Sequence, residues 1–62
     1  MLHEIIINNY LLGARLKTSP THKIVLKERL DKSHTKIVYK DLTQREIQLC
    51  EMLFARKLKE VD

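Results

Sequence analysis

Few side chains in this 62-residue chain are of types that do chemistry, and their spacing decides what they can do. There is one cysteine, Cys50. It falls on an apolar stripe between Ile47 and Phe54, with nothing near it in sequence to depress its pKa, so it reads as a buried, inert thiol rather than a nucleophile. The three histidines, His3, His22 and His34, include no pair at i,i+3 or i,i+4, and none has a Cys partner at metal-ligand spacing. Asp41, Glu46 and Glu51 are the remaining acid–base candidates. Glu46 has a capping job, described below, and a chain this small offers little room for a pocket holding paired carboxylates. The residue types therefore predict no catalytic residues, no metal, no cofactor and no enzyme.

Charge is the second kind of chemistry on offer. The net charge is +4, but residues 15–40 carry +6 while each flank carries −1. The centre of that basic block is a near-repeat, "KIVLK" at 23–27 and "KIVYK" at 36–40. If both copies lie on one ribbon, Lys23, Lys27, Arg29, Lys36 and Lys40 project together. Such a face suits a polyanion or an acidic protein surface. For nucleic acid it favours phosphate contact over base reading, because it holds one Arg and no interleaved aromatic. Apolar surface is the third resource. Ile6, Tyr10, Leu12, Phe54 and Leu58 are the expected anchors for a protein partner.

These side chains need elements to position them. The length allows one domain, residues 1–62, and 44% hydrophobic residues are too many for a disordered chain. A domain this size is marginally stable and has no disulfide to help it, so a homodimer or an obligate complex is expected. The apolar runs are too short to span a bilayer, and "MLHEIIINNYLL" lacks a basic n-region, which points to the cytoplasm and away from membranes.

Leu2, Ile5, Ile6, Asn9, Leu12, Gly13 and Leu16 follow three-four spacing and predict a helix over about 2–17; a strand through "EIIINNY" is the rival. Ser19-Pro20 breaks the chain. Leu42-Thr43-Gln44-Arg45-Glu46-Ile47 contains a capping box and opens a helix over about 44–60, with Ile47, Cys50, Phe54, Leu58 and Val61 on one stripe. Between them, 22–42 reads as a β-hairpin. A four-residue loop at 31–34 pairs Leu30 with Thr35 and Leu26 with Tyr39, which collects the apolar sets on one face and the basic sets on the other. The expected fold is a small α+β domain of order α-β-β-α, with an all-α three-helix domain as the alternative. The function these features predict is regulation by binding a protein partner, an acidic one where the basic face is used, as inhibitor, anti-activator or adaptor. The alternative is a dimeric nucleic-acid binder that uses the basic ribbon.

Overall fold

In the computed structural model, which describes residues 1–61, the chain is a small α+β domain. Leu2–Asn8 is strand β1 and a 3-10 turn follows at Asn9–Leu11. Next come the short helix α1 at Ala14–Thr18 and a second 3-10 turn at Thr21–Lys23. Strands β2 (Ile24–Arg29) and β3 (His34–Lys40), helix α2 (Gln44–Phe54) and strand β4 (Lys59–Val61) complete it. The four strands form one antiparallel sheet in the order β2-β3-β1-β4. With the element order β-α-β-β-α-β, this is the split-βαβ, or ferredoxin-like, topology. Among the described residues no helix is long and apolar enough to cross a membrane.

The expected N-terminal helix over 2–17 is replaced by β1 and the five-residue α1. Ile5, Ile6 and Ile7 satisfy a helical stripe and a strand equally well, and tertiary pairing decides between them. β1 lies between two neighbours, pairing with β3 from Leu2↔Lys40 to Asn8↔His34 and with β4 from Leu2↔Val61 to Glu4↔Lys59. The period is therefore two: His3, Ile5 and Ile7 point into the core, while Leu2, Glu4, Ile6 and Asn8 face the side without helices. Asn9, expected on the helical stripe, clamps the end of β1. Its backbone N–H donates to the Ser33 carbonyl at 2.7 Å, its amide donates to the Lys32 carbonyl at 2.8 Å, and its Oδ1 accepts from Thr35 Oγ1 at 2.6 Å.

The hairpin is present, but one residue out of the expected register. Arg29 pairs with Thr35, Glu28 with Lys36, Lys27 with Ile37 and Leu26 with Val38. The turn holds without Gly or Asn because Asp31 Oδ1 accepts from the backbone N–H groups of Ser33 and His34, each at 2.7 Å. A one-residue shift exchanges the faces of a strand. Leu26 is thus on the helix-free face, and Leu30 is exposed. An irregularity between Ile24 and Leu26 shifts the register again, so Ile24 does lie beside Tyr39 and packs on the core.

The predicted C-terminal helix starts where expected and ends early. Thr43 and Glu46 form both bonds of the capping box. After Phe54, Ala55 turns left-handed at φ 52°, the backbone N–H of Leu58 is taken by Glu51 Oε2, and the chain becomes β4. The all-α alternative is excluded by the sheet.

Both helices cover one face of that sheet. The core between the helices and the sheet is formed by Ile5, Ile7, Leu11, Leu16, Ile37, Tyr39, Cys50 and Phe54. The Tyr39 hydroxyl donates to Ser19 Oγ at 2.9 Å, and Ser19 in turn donates to the Leu16 carbonyl at 2.6 Å. Burial pushes the Tyr39 phenol up to about 12. It also raises the Cys50 thiol, which keeps that group protonated and inert. His3 is buried as well, and its Nδ1 has no hydrogen-bond partner among the described residues.

The register makes a direct prediction. Ile37 is 0% exposed and Leu26 is 42% exposed. Ile37→Ala is expected to cost about 3 kcal/mol in a denaturant titration, whereas Leu26→Ala costs below about 1 kcal/mol. Equal losses would place Leu26 in the core and refute the register.

Candidate partner-binding site

α2 is the best-specified element, and it carries the site. Its capping box fixes where it starts, and a clasp fixes how its first turn sits. Lys23, at the entry to β2, places Nζ 2.6 Å from Glu46 Oε1 and donates to the Asp41 carbonyl at 2.9 Å. This Lys23 contact, with the Thr43 backbone N–H bond next in importance, holds the Glu46 carboxyl down at about 2. Glu46 is therefore charged and already partnered.

Cys50 and Phe54 turn toward the sheet. Arg45, Leu49 and Met52, spaced by four and three residues, line one outer flank of α2. Leu49 is half-buried and Met52 is 75% exposed. Together with Thr43, Glu46 and Gln48 they form an open groove of about 630 Å³. The flank is open because α1 is short. At 1.5 Å per residue, its five residues run about 7.5 Å, against about 16.5 Å for the eleven of α2. α1 packs on α2, and Arg15 Nη1 donates to the Leu53 carbonyl at 3.4 Å. Its cover therefore falls at the C-terminal half of α2. One cation, Arg45, lines the start of the groove, and another, Arg15, is outside the lining and bonds the Leu53 carbonyl one residue past Met52. Arg45 makes no salt bridge among the described residues.

The expected basic face is not assembled. Lys36 and Lys40 lie on the helix-free side, and Lys36 sits between Glu4 (3.7 Å) and Glu28 (3.4 Å). Lys27 and Arg29 follow Ile37 and Thr35 to the opposite side. Lys23 is held in the α2 clasp. The physical reason is the one-residue register shift.

The expected apolar anchors are only partly brought together. Ile6, Tyr10 and Phe54 line a pocket of about 220 Å³ at the end of β1, where Arg56 Nη1 donates to the Ile6 carbonyl at 2.8 Å. Of these, Ile6 and Tyr10 are exposed, but Phe54 is 4% exposed and belongs to the core. Leu12 and Leu58 are half-buried and pack against the core away from that pocket. Leu49, Met52 and Arg45 were missed as a group. The available signal was Met52, an apolar residue almost opposite Cys50 on a helix whose buried stripe was already complete.

No protein-family model matches the chain, and neither curated proteins nor solved structures give a significant match.

The clasp has a pH signature. A carboxyl whose folded pKa is depressed stabilises the fold above its unfolded value and loses that contribution as pH falls through the folded value. For Glu46 the window runs from about 4.5 to about 2. Glu46→Gln is expected to melt below the wild type at neutral pH, with the gap closing as pH is lowered across that window. A gap that stays constant in thermal melts would show that the Glu46 charge is not what the clasp uses.

Proposed function

We propose that this chain is a small non-enzymatic regulatory protein that works by binding a protein partner, as an inhibitor, anti-activator or adaptor. The observation that carries this reading is the α2 flank. An adaptable methionine and a leucine lie in an open groove on a capped, clasped helix, which is the composition of a surface that accepts another chain. The proposed setting is the cytoplasm, where a lone thiol such as Cys50 stays reduced.

The folded chain exposes 4297 Å², close to the roughly 4,200 Å² that size scaling gives for a monomer of 7.4 kDa. That match supports a different protein, rather than a second copy, as the partner. The nucleic-acid reading draws less support, since its five cations are divided between two faces and a clasp. The β2 edge also favours helix-flank docking over strand addition. Lys27, Glu28 and Arg29 and the register irregularity are the features that keep an edge strand from pairing with another chain.

Affinity capture with cross-linking in the producing cell tests the proposal. Wild type is expected to recover one protein in stoichiometric amount. The double variant Leu49→Glu/Met52→Glu should lose about thirtyfold of that recovery, as removal of a 2 kcal/mol hot spot would. Lys27→Glu should leave it unchanged. Recovery of nucleic acid alone, with steep loss in salt, would transfer the function to the alternative.

A further inference from the structure

We infer that the occupant of the α2 groove is an acidic amphipathic helix of the partner, lying alongside α2 where α1 is too short to reach. The inference rests on the protein-binding reading and adds the chemistry and geometry of what is bound.

The walls of the groove specify a helix. They are side chains of a helix and its cap, so no unpaired strand edge is there to receive an extended peptide. A bound helix satisfies its own backbone and needs only a complementary stripe. α2 offers that stripe along Thr43 to Met52, roughly 14 Å at 1.5 Å per residue, or about two and a half turns. Two helices pack at 8–10 Å between axes when the side chains at the contact interdigitate. Leu49 and Met52 are of a size and flexibility to do so.

The cations specify the sign. Arg45 lines one end, and Arg15, outside the lining itself, donates to the Leu53 carbonyl one residue past Met52 at the other. Arg45 and Leu53 are eight residues apart, about 12 Å along the helix. The only carboxylate in the lining is Glu46, and Lys23 neutralises it at 2.6 Å. A partner helix with acidic residues seven or eight positions apart places one carboxylate against each arginine. Two apolar residues between them meet Leu49 and Met52. The same charges disfavour a second copy of this chain. A two-fold pairing is self-complementary and would set arginine against arginine in either orientation.

The test uses the intact chain and a synthetic helical peptide of about 15 residues. It carries two glutamates one heptad apart, with two leucines between them. Amide chemical shifts are followed during titration. Saturable binding is expected, with the largest shifts at Arg45, Gln48, Leu49 and Met52. A lysine-for-glutamate peptide should bind at least tenfold more weakly. Arg15→Glu/Arg45→Glu, both at exposed positions, should invert the preference between the two peptides, with a cooperative thermal melt as the check that the variant is folded. Equal binding of both peptides, no binding of either at millimolar concentration, shifts centred elsewhere, or self-association through this flank would each overturn the inference. Failure here separates from failure of the broader reading. If wild type still captures a protein partner in the cell and the charge-reversed variant captures it equally, the acidic helix falls and protein binding stands.

Discussion

β1 and β3 pair along seven residues, and this ladder dictates the layout of the molecule. It puts Ile5 opposite Ile37 and His3 opposite Tyr39, so the buried positions of the two central strands are neighbours across the sheet and one face becomes continuous core. Asn9 and Thr35 fasten one end of the ladder. The helices have one place to go, over Ile5, Ile7, Ile37 and Tyr39. The other face is left to Leu2, Ile6, Leu26 and Val38, with Lys36 bridged between two glutamates.

The helical layer above that ladder is unequal. α2 is started by two local devices, the capping box and the Lys23 clasp, and buries Cys50 and Phe54. α1 contributes Leu16 to the core and the Tyr39–Ser19–Leu16 hydrogen-bond relay just beyond its end, but it has hardly more than one turn. A helix flanked along only half its length keeps side chains such as Leu49 and Met52 half or fully in water. The groove follows from this imbalance in helix length rather than from any special cavity in the core.

Features decided by contiguous residues were legible in the sequence. Thr43 and Glu46 sit three apart and make their bonds within one turn, so the start of α2 could be read directly. Thr35, Ile37 and Tyr39 alternate and are all buried, as their pattern implies. Features decided by distant partners were not legible. Ile5-Ile6-Ile7 supports two periods, and the choice depends on residues 34–40. The hairpin register depends on Asp31 bonding two backbone groups and on an irregularity near Val25, neither of which changes the hydrophobic pattern. One residue of slip was enough to divide the five cations. For the candidate site, the helix that carries it was readable, whereas its openness depends on the length of α1, which was misread together with β1. Phe54 illustrates the remaining error, since an aromatic on the stripe of a helix fills the core before it can anchor a partner.

β4 pairs with β1 so that Leu2 faces Val61, joining residues from nearly opposite ends of the sequence. At about 5–20 residues per second, synthesis leaves β1 waiting roughly 3–12 s before its outer neighbour exists. During that interval the outer edge of the nascent strand at Leu2–Glu4 is bare and available to other emerging chains. The three residues of β4 thus act as a late closure on that edge, and the rate at which the residues between the two strands are translated governs how long the exposure lasts.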